Sequence, residues 1–377
     1  MKIIHCLWDD KFMDGTIRVY ECDKRHSNAY VIVTKDPQHY KFQYIKSPQV
    51  RVISLSDFNT KVKDYDVVVL HSFACLENKV ISNIPSNCKV IWYSWGFDTY
   101  NGLFPIIPIQ LYNNETKEYI RNHCKKRKIK DFLYALKEHL YFKKALSRID
   151  YYSGVFPYEH DLIKQYHPFF NAKKLDFYYG DTDFFIKESV SHNIERNKYN
   201  IILGNSADPC NNHHDALTYL SQIRLPEEAK IIIPLSYAGN KEYRDWVNNY
   251  AESLFPGKVI PLIDYLPLEV YINLVSCCKV AIFFHERQQA SDNIFMQMLY
   301  GAKVFLSETS YAYKYLKKEG YVVFSLQSDY QELYSELSDD ELIHNRNLLA
   351  KNYSESTILS RVRSINDVVS GKVNNYD

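Results

Sequence analysis

Short apolar runs alternate with polar, helix-patterned stretches along the whole chain. Residues 2–7, 30–34, 66–70 and 89–94 are rich in Val, Ile and aromatic side chains and end at turn-forming residues. Such runs predict buried strands, because β-branched and aromatic side chains pack well on a pleated surface. Residues 42–45 and 50–54 are weaker strand signals, and 151–155 and 175–179 close this first set. A second set follows at 200–203, 230–234, 258–262, 279–284, 303–306 and 321–324. Helical spacing fills the gaps near 241–254, 267–277 and 310–319, and two further helices are expected across 339–369. Parallel strands need crossover connections, usually helical, so the pattern predicts two consecutive α/β domains.

The charged stretch at 181–198, headed by Asp181 after Gly180, reads as the link between them. The expected organisation is 1–180, linker 181–198, a second domain over 199–350, and a C-terminal helix over 351–377 able to pack back on the first domain. Ligands of open α/β sheets bind beyond the carboxyl ends of the strands. Two such domains make a cleft between facing sheet edges. That layout suits a dehydrogenase, a kinase-like transferase, a periplasmic-type binder or a glycosyltransferase. No G-x-G-x-x-G or G-x-x-x-x-G-K-[ST] motif follows a strand, which weighs against the dehydrogenase and P-loop readings.

The densest chemistry lies between residues 279 and 306. Strand 279–284 runs into His285-Glu286-Arg287-Gln288-Gln289-Ala290-Ser291-Asp292-Asn293, then a helix that stops at Gly301. Ser291, Asp292 or Asn293 is expected to cap this helix, whose first N–H groups favour an anion such as phosphate. Arg287 adds a permanently charged planar fork, and Gln288 and Gln289 add neutral donors and acceptors. The bland alternative is a solvated loop with a surface arginine. Gly204-Asn205-Ser206 ends the first strand of the second domain, where glycine lets backbone approach a ligand. In a parallel sheet it opens on the same edge as Arg287. The segment 233–237 forms a third wall, with Tyr237 placed to stack on a nucleobase.

In the first half, Trp95-Gly96-Phe97-Asp98 follows a strand. A carboxylate in a desolvated cleft can take a proton from an attacking hydroxyl, so Asp98 is the candidate base. His71, at another strand end, is a second candidate; His5 reads better as a core histidine. The Asp9-Asp10 pair lacks metal-ligand spacing, and no metal or other cofactor is expected. Residues 113–148 are helical, basic and aromatic, including Lys125-Lys126-Arg127-Lys128, as expected of a helix lying on an anionic membrane surface.

Composition narrows this little. Net charge is +1 over 377 residues, so no nucleic-acid partner is indicated. Eight scattered cysteines and the absence of a signal-like N-terminus lead us to expect reduced thiols in the cytoplasm.

The order WGxD, GNSxD, IPLSY and RQQ before a helix resembles glycosyltransferase family 56, which includes TDP-Fuc4NAc:lipid II Fuc4NAc transferases. The resemblance is densest from 201 to 306. It implies a GT-B fold, two Rossmann-like domains with parallel sheets facing across a cleft. It implies a nucleotide-sugar donor, dTDP-linked, and a polyprenyl-diphosphate-linked saccharide acceptor at the inner face of the cell membrane, in surface polysaccharide synthesis such as O-antigen or common antigen. On that pattern Gly204, Asn205 and Ser206 meet the diphosphate, Arg287, Gln288 and Gln289 the diphosphate and sugar, with Asn293 beside them. Asp98 lies near the acceptor hydroxyl. A GT-B sugar-nucleotide epimerase and a non-catalytic sugar-nucleotide-binding scaffold are the alternatives.

Overall fold

The computed structural model describes residues 1–123, 129–180 and 197–373. The basic run Lys125–Lys128 and most of the expected linker lie outside the described residues. In chain order the strands are β1 (Lys2–Cys6), β2 (Ser27–Thr34), β3 (Val50–Ser54), β4 (Val67–Leu70), β5 (Lys89–Tyr93), β6 (Tyr151–Ser153), β7 (Lys173–Lys174), β8 (Asn197–Leu203), β9 (Ile231–Pro234), β10 (Val259–Leu262), β11 (Cys278–Phe283), β12 (Lys303–Leu306) and β13 (Phe324–Ser325). The first seven helices are α1 (Met13–Glu21), α2 (Leu55–Lys61), α3 (Asn78–Ile81), α4 (Phe97–Tyr100), α5 (Asn114–His123), α6 (Ile129–Ser147) and α7 (Tyr158–Tyr166). The others are α8 (His213–Leu220), α9 (Lys241–Leu254), α10 (Leu268–Ser276), α11 (Ser291–Leu299), α12 (Tyr311–Lys318), α13 (Asp339–Tyr353) and α14 (Glu355–Val369).

The chain forms two compact units: Met1–Pro108 with Lys126–Asp181 and Glu355–Asp377, and Ile109–Lys125 with Thr182–Ser354. The first holds a seven-stranded sheet in the order β3-β2-β1-β4-β5-β6-β7, the second a six-stranded sheet in the order β10-β9-β8-β11-β12-β13. Among the described residues every strand pair is parallel. In each sheet the strand order reverses direction once near the middle, at β1/β4 and at β8/β11. A crevice opens beyond the carboxyl ends of such a strand pair, which is where ligands of this architecture bind.

The strands expected from apolar runs form because β4, β9 and β12 are buried on both faces. Three expectations change. Residues 42–45 are not a strand: the backbone N–H groups of Gln43, Tyr44 and Ile45 donate to the Asp9 carboxylate instead of a ladder. No strand forms at 175–179: the last strand of this sheet is β7, just before it, and the Phe177 N–H is taken by Ser153 Oγ at 2.8 Å. The one expected at 321–324 shifts to β13, since Asn345 of α13 holds both the N–H and the C=O of Val322.

The stretch expected to be one basic helix provides α5 to the second unit and α6 to the first. Asp215 accepts from the Glu115 and Thr116 N–H groups and from the Thr116 hydroxyl at the start of α5, and Tyr119 stacks on Trp246 with ring centres 4.0 Å apart. The tail forms the two expected helices. Ser354, extended with ψ 156°, breaks them. Helix α14 belongs to the first unit, where Asn366 donates to Asp23 at 3.0 Å and Arg25 bridges Asp23 and Asp367.

One buried acid in the first unit gives a pH signature. Glu159 is fully buried and accepts from the Phe156 N–H at 3.0 Å. Burial is the main cause that raises its carboxyl from 4.5 to about 7. A raised acid contributes fully below its unfolded value, and that contribution is lost as pH rises through about 7. Relative to Glu159→Gln, the protein is expected to lose on the order of 3 kcal/mol between about pH 5 and pH 8. Melting curves of both proteins over that range check it; an identical pH dependence in the variant would rule it out.

Candidate active site

In the second unit, the loops beyond β8 and β11 close on each other at the strand-order reversal. Gly204 continues the ladder, donating its N–H to Ile282 O at 2.8 Å, and then turns with φ +72°. A Cβ there would lie 2.7 Å from Asn211 Oδ1 and 2.8 Å from His213 Nε2, so only glycine fits. Asn211 organises the turn. Its Nδ2 donates to the carbonyls of Ser206 and Asp208, and its Oδ1 accepts from the Asn205 N–H and from His285 Nε2 at 2.8 Å. Burial, followed by the charge of Arg287, holds His285 well below its usual range, so it is a neutral donor.

The polar segment after β11 is not a solvated loop. His285, Glu286, Arg287, Gln288 and Gln289 are each at most 9% exposed. Five consecutive buried polar side chains are costly unless bonded. Arg287 Nη1 donates to Gln288 O at 2.8 Å, and its Nη2 lies 3.4 Å from Asp208 Oδ2. Gln289 Nε2 donates to Asn205 Oδ1 at 3.2 Å, joining the two loops. Glu286 accepts from Ser307, Thr309 and Asn113. Gln288 Oε1, Gln289 Oε1 and His213 Nε2 remain buried without a hydrogen-bond partner among the described residues. These three atoms line one crevice and have hydrogen-bonding capacity to offer a polar ligand or water.

The expected helix cap is corrected. The N-cap of α11 is Ala290 in the left-handed conformation (φ 58°), with no side-chain cap hydrogen bond. The cause is the turn made by the preceding loop: Ser291, Asp292 and Asn293 already lie inside the first turn. Asn293 Oδ1 instead accepts from the Tyr271 hydroxyl of α10 at 2.9 Å. Ala290 thus offers no side-chain cap to the first N–H groups of α11, a helix start whose dipole favours an anion, with Asp292 the acidic residue of that turn.

Ser206 is buried, and its hydroxyl accepts from Asp208 N and Asn211 Nδ2. Tyr237 is 58% exposed. Its carbonyl accepts from Ala207 N at 2.8 Å, and a Cβ on the adjoining Gly239 would meet Ala207 O at 2.2 Å, so the loop beyond β9 is seated on the loop beyond β8. Seven of the eight expected donor-site residues therefore belong to three adjoining loops, and Asn293 to the helix that follows the third. Sequence reasoning missed Asn211 and His213. Their signal was the run Asn211-Asn212-His213-His214, four polar residues that are all buried.

In the first unit, the crevice at β1/β4 holds His5 and His71, both fully buried. His5 Nδ1 and His71 Nε2 are 3.0 Å apart, and His71 Nδ1 is 3.0 Å from the Tyr179 hydroxyl. Asp98, in the first turn of α4, accepts from Ser72 Oγ, Phe73 N and Trp92 Nε1 on one oxygen and from Trp95 N on the other. Burial raises its carboxyl, and the Trp95 and Phe73 N–H groups lead the hydrogen bonds that oppose the rise. These four donors tie together the ends of β4 and β5.

Two parallel open sheets, each with its own crevice, together with the structural neighbours that share them, give the GT-B glycosyltransferase fold. The chain is similar over 99% of its length to all of sucrose-phosphate synthase from Thermosynechococcus elongatus (10% identity, TM-score 0.68). It is similar over 98% of its length to 99% of HepE from Anabaena, solved in complex with UDP (10% identity, TM-score 0.59). A glycosyltransferase from Rickettsia africae matches over 99% of both chains (12% identity, TM-score 0.63). The family model described as 4-alpha-L-fucosyltransferase, glycosyl transferase group 56, matches residues 130–345, more than half of the chain. The chain belongs to this family and is a glycosyltransferase.

Proposed function

We propose that this enzyme moves a deoxy- or acetamido-sugar from a nucleotide-diphosphate donor, dTDP-linked, to a polyprenyl-diphosphate-linked saccharide in bacterial surface polysaccharide synthesis. The observation that carries the donor half is the buried run His285–Gln289 at the β8/β11 crevice, with its orphaned amide oxygens and the start of α11. As the glycosidic bond to the donor breaks, negative charge develops on the departing diphosphate. Arg287 and the α11 N–H groups offer oriented positive charge where it appears. Gly204 and Asn205 supply the close backbone approach, Ser206 the shape of that turn, Gln288 and Gln289 neutral donors and acceptors for the sugar, and Tyr237 an exposed ring for the base. Asn293 holds α11 against Tyr271. Asp98 and His71 take positioning tasks in this reading, since their polar atoms are already bonded within the first unit.

A thermal-shift screen of dTDP-, UDP- and GDP-sugars tests the donor. A selective ligand at a hundred times its Kd adds about 2.7 kcal/mol of stability, several degrees of melting temperature. The largest shift is expected from a dTDP-sugar, and a response to none of the three classes would overturn the donor reading.

Helix α6 supports the acceptor half. Ile129, Phe132, Leu133, Leu136 and Leu140 recur at helical spacing and are all exposed, Ile129 by 78% and Leu140 by 73%. The opposite face packs inward: Ala145 and Leu146 are buried, and Glu138 binds Asn78 of α3. A helix that turns its more apolar face outward, flanked by Lys130, Lys137, Lys143 and Lys144, suits the interface of an anionic bilayer. No helix among the described residues is long and apolar enough to cross a membrane. The double variant Leu133→Asp, Leu140→Asp is expected to lose co-flotation with vesicles containing anionic lipid. Unchanged flotation would exclude this helix as the contact.

A further inference from the structure

Two loops at the carboxyl edge of the first sheet carry aromatic side chains at matching places. Trp8 and Phe12 follow β1, and Trp95 and Phe97 follow β5. Their rings pair reciprocally: Trp8 with Phe97 at 5.9 Å between centres, Phe12 with Trp95 at 5.6 Å, both tilted. Strands β1 and β5 lie on either side of β4, so the pairs span the strand-order reversal, where ligands of such sheets bind. All four residues are at least partly exposed, Trp8 by 45%.

The backbone beneath them is fixed. Asp9 accepts from the N–H groups of Gln43, Tyr44 and Ile45, and Asp14 from those of Lys46 and Ser47. Asp10 accepts from the Phe12 N–H at 3.2 Å. These three carboxylates hold loop backbone.

Trp95 is held by its polar edge as well. Its indole N–H donates to the Tyr179 hydroxyl oxygen, and that hydroxyl donates to His71 Nδ1 at 3.0 Å. Burial drives His5 down to about 3 and His71 well below its usual range, so both rings are neutral with one hydrogen each. His71 Nε2 then donates to His5 Nδ1 at 3.0 Å, His5 Nε2 to Asn28 Oδ1 at 3.3 Å, and Asn28 Nδ2 to the Glu21 carboxylate at 3.2 Å. Every member of the chain has its partner, and a fully satisfied buried network is rigid. The nitrogen edge of Trp95 is therefore spent inside the protein, and what it offers a ligand is its ring.

The resulting surface is aromatic, not aliphatic. A sugar ring carries C–H bonds on a face and hydroxyls around its rim. A flat aromatic ring covers the first and leaves the second in water. A polyprenyl chain is better matched by the aliphatic face of α6, with Ile129, Leu133, Leu136 and Leu140. Lys11 Nζ stands 5.0 Å from the Phe12 ring centre, a positive charge at the rim that complements a diphosphate-linked saccharide.

We propose that Trp8, Phe12, Trp95 and Phe97 form a platform on which a sugar ring of the acceptor stacks, with Trp8 its outermost, specificity-determining ring. This rests on the acceptor reading above and names the part of the acceptor that is held.

Two measurements test it. Steady-state kinetics of Trp8→Ala use a short-chain polyprenyl-diphosphate saccharide as acceptor probe. Loss of one stacked ring is expected to raise acceptor KM about three- to tenfold and leave donor KM unchanged. Trp8→Phe keeps a ring and should recover most of the loss. Trp8 is exposed, so the melting temperature should move little. Indole 1H–15N spectra give the second readout. The chain has four tryptophans, and the Trp8 signal is assigned by its loss in Trp8→Phe. That signal is expected to shift with the saccharide probe and to stay in place with the same short-chain polyprenyl diphosphate lacking its sugar. An equal shift with the sugar-free lipid would overturn the proposal and make the platform a lipid site. An unchanged acceptor KM in Trp8→Ala, with transfer by the native enzyme intact, would overturn it while the acceptor reading stands. If the native enzyme transfers to no lipid-linked saccharide, the acceptor reading itself fails and the proposal falls with it.

Discussion

Arg287→Ala is expected to lower kcat/KM by about 10²–10³-fold while leaving the fold intact. Removing a single preorganised donor aimed at developing charge costs about this much in an oxyanion hole. Arg287 is 5% exposed, so its charge acts in a low-dielectric crevice where screening by water is weak. Its ion-pair partner Asp208 is 24% exposed at the side chain and can be rehydrated once the guanidinium is gone. The stability loss should therefore be small next to the kinetic one. Arg287→Lys is expected to restore little, because an ammonium cannot reproduce the planar fork that reaches both the Gln288 carbonyl and Asp208. Donor titration by calorimetry and initial rates under saturating acceptor separate binding from turnover. A variant with unchanged turnover would remove Arg287 from the chemistry and with it the donor-site assignment.

Asp98→Ala is expected to cost about 3 kcal/mol or more of stability. The Phe73 and Trp95 N–H groups and the Trp92 indole would lose their acceptor together, and each orphaned buried donor costs about 1–3 kcal/mol. Asp98→Asn should fall between the alanine variant and the native protein. It keeps one acceptor oxygen but turns an amide –NH2 against other donors. Urea unfolding of the three proteins gives the ranking. The opposite outcome is equally informative: an Asp98→Asn protein with native stability and no transfer would return Asp98 to the role of base that its sequence context suggested.

Much of the fold was legible before any coordinates. Apolar runs such as Val67–Leu70 and Lys303–Leu306 can be satisfied only by burial on both faces, which means a parallel sheet with helical crossovers. Where the reading slipped, side chains had captured backbone groups from a distance: Asp9 at 43–45, Ser153 at 177, Asn345 at 322. Such captures depend on who is near in space, and no local pattern records them. The clustering of the proposed donor-site residues was legible for a related reason. Their types and their position just beyond strand ends already implied a shared edge.

The sequence alone settled the alternation of strands and helices, the absence of nucleotide-phosphate glycine motifs, and the polar loop with an arginine before a helix. Those features follow from side-chain chemistry at short range. Tertiary structure decided that this loop is buried rather than solvated, that Ala290 and not Ser291 begins the helix, and that Asn211 and His213 share the crevice. It also decided that His5, His71 and Tyr179 form one hydrogen-bonded chain. Desolvation and hydrogen-bond partnership are properties of surroundings, and residues 66 or 108 positions apart acquire common surroundings only when the sheet brings strand ends together.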